Sequence, residues 1–246
     1  MWSVWSERVD VYLGTCLVLV QRHRVPLWTL EPPATLPLAD VLQQVDLALD
    51  RANARPWRLH VHLSAALCPP LAFGVPSGVK EHAEVLAIAQ ASAAKAWAMP
   101  AEQAVEIVCN LDAHHIGLAA AMLAGTHRVI SQWAMKYRGR LASLRPLWAD
   151  ATAARACVGQ QMTVLAMLEP DALTVLDLAQ RAAPQAKTWP GRHQASDAIS
   201  LLAATGDPVE QTKPATHLAV AFNRAATQKA SAQAPSVWSK HWSVLP

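Results

Sequence analysis

The chain has 246 residues, of which 52% are hydrophobic and 16% are charged. This length and composition allow one large domain or two smaller ones, and they exclude long disordered regions except near the ends. The formal net charge is +3, with Lys and Arg scattered along the chain, so no nucleic-acid partner is predicted. The first residues do not resemble a secretory signal, and no window approaches the roughly 18 apolar residues that cross a bilayer. We therefore expect a cytoplasmic protein without direct membrane insertion.

The first part of the chain predicts a strand meander followed by a helix and another strand. Residues 8–13, 16–21 and 26–30 are short apolar or β-branched runs between tight polar breaks. A proline-rich segment follows, and then residues 41–53 show the apolar spacing of an amphipathic helix. Residues 57–65 (WRLHVHLSA) alternate cleanly, which is typical of a half-buried strand.

The middle of the chain continues with strands and helices in alternation. A further strand is predicted at 71–76, and 79–99 gives the longest helical signal before a proline ends it. Residues 104–111 and 116–123 are predicted to form paired strands. A helix is expected from 125 to 138.

The last third begins with a clear pattern and ends with a weak one. A strand at 140–148 leads into a short helix at 149–156, and 160–178 predicts a hairpin that turns at Glu169–Asp171. Further helices are expected at 195–205 and 217–228. The order of elements indicates an α/β protein with mixed sheets flanked by helices.

We predict three units along the chain. Residues 1–100 form the first half, residues 101–228 form a second half that repeats its rhythm, and residues 229–246 form a linker with a tryptophan-containing tail.

The order of three strands, helix, strand and helix, occurring twice, resembles the actin-like fold, a duplicated ribonuclease-H-like unit. The chain looks most like the cytoplasmic actin-like domains of the PilM family of type IV pilus assembly and the GspL family of type II secretion. The resemblance spans residues 8–179. Four stretches carry it: VDVYLGTCLVLV, LHVHLSAALCPPLAFGVP, IGLAAAMLAGTHRVISQWAMKYRGRLASLRPLW and QMTVLAMLEPDALTVLDL.

The nucleotide motifs of that fold are degenerate in this chain. Nucleotide-binding members carry D-x-G-[ST] in the first phosphate loop, but here Tyr12 stands where the aspartate would be, before Gly14 and Thr15. The second phosphate loop should again show Asp-x-Gly, and residues 163–168 (TVLAML) have neither. A loop that holds triphosphate needs close backbone N–H groups and an acidic group to organise Mg²⁺. The resemblance therefore implies a scaffold without cofactor, with nucleotide binding through Gly14 and Thr15 as the alternative.

A different hypothesis starts from Asp10. Ribonuclease-H-like nucleases place one metal-binding carboxylate on the first strand, and further acids must converge on it. The candidates are Glu106 and Asp112. Asp10 alternates with Val9 and Val11, which also predicts a solvated or edge position. A metal-dependent nuclease that uses Asp10 remains the second alternative.

The histidines do not predict a metal site. His60 and His62 share one strand face, and pairs with this spacing can chelate zinc if a third ligand arrives. No nearby Cys or carboxylate has metal-site spacing, so partly exposed strand histidines are expected.

Four tryptophans lie near the chain ends: Trp2, Trp5, Trp238 and Trp242. Terminal tryptophans either dock back on their own domain or anchor a partner, because tryptophan is a frequent interface hot spot. We predict these four as partner-binding residues.

The resemblance to the PilM and GspL families implies a bacterial, non-enzymatic pseudo-ATPase that acts as an adaptor. Its partner would be an inner-membrane protein of a pilus or secretion platform, bound through a short peptide, which would place the adaptor at the inner membrane. The sequence leaves a homodimer open.

Overall fold

A computed structural model describes residues 7–23, 25–51, 56–79, 81–96, 105–108, 117–156, 164–177, 185–194, 216–221 and 243–245. The strands described are β1 (Glu7–Leu13), β2 (Val18–Arg22), β3 (Val25–Leu30), β4 (Trp57–Leu63), β5 (Pro70–Ala72), β6 (Val105–Val108), β7 (Leu118–Leu123), β8 (Leu141–Pro146), β9 (Val164–Leu168), β10 (Ala172–Asp177), β11 (Gln185–Pro190), β12 (Thr216–Ala221) and β13 (Ser243–Leu245). The helices described are α1 (Leu38–Arg51), α2 (His82–Ala96), α3 (Ala124–Met135) and α4 (Leu147–Ala156).

Two five-stranded sheets repeat one topology. The first has the order β3-β2-β1-β4-β8 and the second β11-β10-β9-β12-β13. In each sheet the first three strands of the chain form an antiparallel meander, and the fourth and fifth join it in parallel. This duplication confirms the predicted fold class, α/β with mixed sheets in a repeated ribonuclease-H-like arrangement.

One face of the first sheet is covered by α1 and α3. The buried residues of α1 fall on one stripe at helical spacing and pack with Ile130 and Trp133 of α3 over the apolar side chains of β1 and β4. Asp46 ties the two helices together, because its carboxylate accepts hydrogen bonds from Trp133 Nε1 (2.5 Å) and Tyr137 Oη (2.7 Å). The indole and phenol are thereby placed without an unpaired donor.

The opposite face of the first sheet is also covered. Tyr12 of β1 packs in one apolar cluster with Leu147 and Trp148 of α4 and with Leu165 and Met167 of β9. This cluster joins the two five-stranded sheets, so the polar face of β4 is an interior surface. Parallel strands in the middle of a sheet are normally buried on both faces for this reason.

A small third sheet, with the order β5-β7-β6, is inserted between β4 and α3 in the chain. Its strands are antiparallel, and α2 packs on it through Val85, Ala89 and Ala93. The predicted pairing of the strands now numbered β6 and β7 is confirmed. So is the long helix, which spans His82–Ala96.

The topology bears on the predicted division of the chain and on the elements predicted after residue 190. The first sheet takes β8 from beyond residue 100, so the predicted division at 100 and 101 does not follow the division between sheets. The helix predicted at 217–228 is wrong at its start, where β12 is a strand. Part of the segment predicted as a tail is β13, which pairs in parallel with β12. The helix predicted at 195–205 lies outside the described residues.

Candidate functional site

The turn between β1 and β2 holds Gly14 and Thr15, the predicted nucleotide residues. The Gly14 N–H donates to the Leu17 carbonyl oxygen (3.0 Å), which closes a tight turn. A Cβ at Gly14 would lie 2.7 Å from that oxygen and closer still to Asp171 Oδ2, so only glycine fits there. The turn is thus built to let a second segment approach the backbone closely.

That second segment is the turn between β9 and β10, predicted at Glu169–Asp171 and confirmed there. Its Glu169 N–H donates to the Ala172 carbonyl oxygen (2.8 Å). Glu169 and Asp171 are 1% and 0% exposed, although both carry carboxyl groups. The corresponding turns of the two sheets are therefore in contact. The turn between β9 and β10 places two buried carboxyl groups against the turn between β1 and β2.

Asp171 accepts four hydrogen bonds at this junction. The donors are the hydroxyl of Tyr12, the N–H of Thr15, the hydroxyl of Thr15 (3.1 Å) and the hydroxyl of Ser64 (2.6 Å). A carboxylate accepts hydrogen bonds at both oxygens, so four donors fit the ionised form of Asp171. The side chain of Asp171 therefore accepts the hydrogen bond of the Thr15 N–H group in the first turn.

Glu169 has a poorer environment than Asp171. Its Oε2 accepts a hydrogen bond from the Ala65 N–H (2.7 Å), and its Oε1 has no hydrogen-bond partner among the residues that the structure describes. Burial, together with the charge of Asp171, raises the pKa of Glu169 to about 8. Burial and the two neighbouring carboxyl groups also raise the pKa of the Tyr12 phenol well above its usual range. Asp171 therefore has the hydrogen-bond donors that suit an anion, whereas burial favours the neutral acid form of Glu169.

Sequence reasoning did not single out the acids of this junction as a site. Tyr12 was considered only as a missing aspartate, whereas its hydroxyl donates to Asp171. The available signal was the pair of acids inside an apolar hairpin, in a chain that is only 16% charged. Ser64 carried no comparable signal, because it follows β4 without a motif.

A second buried polar cluster lies on the same face of the first sheet. His62 is 1% exposed, its Nε2 lies 2.9 Å from Asp10 Oδ1, and its Nδ1 lies 3.0 Å from Asp150 Oδ2. Arg8 donates from Nε to both oxygens of Asp10 (2.8 and 3.0 Å), and Arg145 forms an ion pair with Asp150. The cluster links β1, β4, β8 and α4 by alternating charges.

The cluster favours the imidazolium form of His62, because each of its ring nitrogens faces a carboxyl group. Burial acts to lower the pKa of His62, but the hydrogen bonds with Asp10 and Asp150 outweigh it and raise the pKa above 6.5. Burial likewise acts to raise the pKa of Asp10, but His62 and Arg8 outweigh it and hold the pKa below 3.8. The geometry and the direction of both pKa shifts therefore favour a charged pair of His62 and Asp10.

These positions correct two predictions. Asp10 was expected at a solvated or edge position, but it is 3% exposed on β1, which lies between β2 and β4. His62 was expected to be partly exposed. Both predictions failed because α4 covers the polar face of the sheet, which strand alternation alone does not reveal.

Of the other predicted nuclease residues, Glu106 is not near Asp10, because it is exposed on β6 in a different sheet. Asp112 lies outside the described residues. Among the residues that the structure describes, no three His, Cys, Asp or Glu side chains are placed to hold a metal ion. The four terminal tryptophans, Trp2, Trp5, Trp238 and Trp242, also lie outside the described residues.

Comparison with solved structures assigns the fold. A protein of unknown function from Bacteroides thetaiotaomicron VPI-5482 is similar over 93% of this chain and 86% of its own, with a TM-score of 0.57 and 10% identity, and is described as having an actin-like ATPase fold. This chain has the actin-like ATPase fold. No protein-family model matches the sequence, and no curated protein matches it.

Two further solved structures are similar to this chain with lower TM-scores. One is the cytoplasmic domain of EpsL, an inner membrane component of the type II secretion system of Vibrio cholerae (TM-score 0.43, 13% identity, 88% of this chain and 81% of that chain). The other is the PilM–PilN type IV pilus biogenesis complex (TM-score 0.46, 14% identity, 75% of this chain and 61% of that chain). The fold assignment depends on the Bacteroides protein.

Within the described ranges, no helix is both long enough and apolar enough to span a membrane.

Proposed function

We propose that this protein is a nucleotide-free, non-catalytic actin-like adaptor of a pilus or secretion assembly platform. The observation that carries the proposal is the position of Asp171. Its carboxylate takes the Thr15 N–H and hydroxyl, which are the groups that a phosphate would need from the first turn. On this proposal, the Asp171 carboxylate takes the position that the phosphate of a ligand would need.

Charge supports the same conclusion. A triphosphate at the first turn would have to displace Asp171 from its four donors and would then lie beside two buried carboxyl groups. Like charges in a buried site repel strongly. The carboxylate of Asp171 also accepts hydrogen bonds at both oxygens from the protein, so it is not free to organise Mg²⁺.

The adaptor role rests on the sequence resemblance to the PilM and GspL families. On this proposal the work of the protein is binding, and the ligand is an extended peptide of an inner-membrane partner. An outer strand of a sheet, or the groove between the two halves, accepts such a peptide through backbone hydrogen bonds and side-chain pockets. Of the outer strands, β3 has exposed apolar side chains at Val25 and Leu27, 59% and 47% exposed.

The proposal is tested by isolating the tagged protein from membranes of its native cell and identifying co-purifying proteins by mass spectrometry. We expect inner-membrane pilus or secretion components, and synthetic cytoplasmic peptides of those components should bind the purified protein. Recovery of nucleic acid, or of no membrane protein, would contradict the adaptor role.

A matched pair of variants tests the role of β3. Leu27→Lys places a charge on β3, and Leu47→Lys places the same charge on α1, where the leucine is similarly exposed (50%). If the peptide adds to β3, then Leu27→Lys loses the partner and Leu47→Lys keeps it. If both variants retain the partner equally, the peptide does not bind at β3, and the groove between the halves becomes its proposed site.

The two alternatives have distinct signatures. Nucleotide binding through Gly14 and Thr15 predicts that Mg-ATP raises the melting temperature of the wild-type protein. A nuclease predicts Mg²⁺- or Mn²⁺-dependent cleavage that is lost in Asp10→Asn.

A further inference from the structure

The junction of the two turns buries two carboxyl groups that are two residues apart in the chain. Within the described part of the chain, Asp171 accepts four hydrogen bonds, whereas Glu169 accepts from the Ala65 N–H and shares the Ser64 hydroxyl with Asp171, and its Oε1 has no partner. The hydrogen-bond donors of the protein therefore stabilise Asp171 as an anion, but they do not stabilise a charged Glu169 in the same way.

In the described ranges of the chain, the groups that face Glu169 include no cation. From the turn after β4 it meets the N–H of Ala65 and the side chains of Ser64 and Cys68, and from β1 it meets the phenol of Tyr12. From its own turn it meets Asp171. In the described part of the chain, neither Glu169 nor Asp171 has an ion pair with Lys, Arg or His. Two carboxyl groups buried together without a cation are stable only when one of them is protonated.

We propose that closure of this junction takes up one proton, which Glu169 carries, so that the two halves of the molecule close more tightly at lower pH. Burial favours the neutral form of the Glu169 carboxyl group, whereas the Asp171 carboxylate binds the first turn. The inference concerns how the halves close and is independent of the partner of the adaptor.

The direction of the pH dependence follows from the two states of Glu169. When the junction is open, water surrounds the carboxyl group and its ordinary pKa of 4.5 applies. When the junction is closed, burial raises the pKa of Glu169 to about 8. Between these values the closed form binds one more proton than the open form, so the closed-to-open ratio falls about tenfold per pH unit. From pH 6 to pH 8 the fall is about 50-fold, and it levels off above pH 8.

Two backbone amides report this equilibrium directly. The Ala65 N–H donates to Glu169, and the Thr15 N–H donates to Asp171. Hydrogen exchange at both amides, corrected for the intrinsic pH dependence of exchange, measures how often the junction opens. The matched variant is Glu169→Gln, which keeps the side-chain oxygen that accepts from Ala65 and cannot ionise.

We expect the protection factors of both amides in the wild-type protein to fall about 50-fold between pH 6 and pH 8, and those of Glu169→Gln to stay constant. A wild-type protection that does not change, or a variant that falls as steeply as the wild type, would overturn the proposal. The infrared spectrum of the wild-type protein is a second test, and it does not depend on whether the variant folds. A carbonyl band of a protonated carboxylic acid that is present at pH 7 and lost by pH 9 supports the proposal, and its absence at pH 7 overturns it.

Discussion

Replacement of Asp171 with alanine removes the acceptor of four hydrogen bonds where the two turns meet. Two of the donors, the hydroxyls of Tyr12 and Ser64, belong to residues that are 0% exposed. The other two belong to Thr15, which is exposed and can turn toward water. The cost of the substitution therefore comes mainly from the two buried hydroxyls.

The magnitude follows from that count. A buried polar group left without its partner costs about 1–3 kcal/mol, so two hydroxyls cost about 2–6 kcal/mol. Loss of the Asp171 charge also relieves Glu169, because that charge contributes to the raised pKa of Glu169. This relief offsets part of the cost, and we expect Asp171→Ala to lower the free energy of unfolding by about 2–4 kcal/mol at pH 7.

Urea unfolding at pH 7, with linear extrapolation to water, measures this change. Thr15→Val is the matched control, since it removes only an exposed hydroxyl, and it should cost less than about 1 kcal/mol. Tyr12→Phe, alone and combined with Asp171→Ala, gives a double-mutant cycle, and the coupling between the two residues should be about 1–3 kcal/mol. An Asp171→Ala protein as stable as the wild type, or a cycle with no coupling, would refute the proposed role of this carboxylate.

Three further predictions follow from the same contacts. Gly14→Ala should destabilise the protein by about 1–3 kcal/mol, because the new methyl group would meet the facing backbone and carboxylate, whereas Gly125→Ala in α3 has open space and should stabilise it by about 0.5–1 kcal/mol in the same urea titration. His62→Gln should cost about 3–5 kcal/mol by chemical unfolding at pH 6, because it leaves two buried carboxylates without the cation between them. Asp46→Ala should cost about 1–3 kcal/mol in thermal unfolding, because a buried indole loses its acceptor.

The same substitutions carry a pH test with a defined sign. The pKa of His62 is raised in the folded protein, so its stabilisation is complete below 6.5 and is lost as the pH rises through the folded value. The raised pKa of Glu169 acts in the same direction, beginning at 4.5 and ending at about 8. The wild-type protein should lose stability from pH 6 to pH 8, and Glu169→Gln and His62→Gln should each remove part of that slope. A slope unchanged in both variants would contradict these pKa shifts.

Predictions about the fold succeeded where local pattern and tertiary environment agree. The hairpin that turns at Glu169–Asp171 was found because two apolar runs flank a Pro and two acids. The strand now numbered β12 was mistaken for a helix because a short apolar run fits both periods, and pairing with β9 and β13 decides between them. The strand β11 was not predicted, because Gln185, Lys187 and Thr188 make it polar, as suits an outer strand.

The site was harder to predict than the fold. Sequence motifs showed what the first turn lacks, but they could not show what occupies it, since Asp171 lies 156 residues beyond Thr15. The burial of Asp10 and His62 depends on where α4 packs, which alternation within one strand does not specify. The sheet topology decides which charged groups that are distant in the chain come into contact. That topology is visible in the folded structure and not in the pattern of a single strand.

If Asp171 fills the place of a phosphate, the first turn of the wild-type protein cannot bind Mg-ATP, and thermal unfolding with and without Mg-ATP measures this. A ligand that binds only the folded state raises the melting temperature as its concentration rises. We predict no shift for the wild-type protein, and for Asp171→Ala a shift with Mg-ATP or with pyrophosphate, because the Thr15 N–H is then free to meet an anion. A concentration-dependent rise in the wild-type protein would contradict the account and would assign Gly14 and Thr15 to a nucleotide.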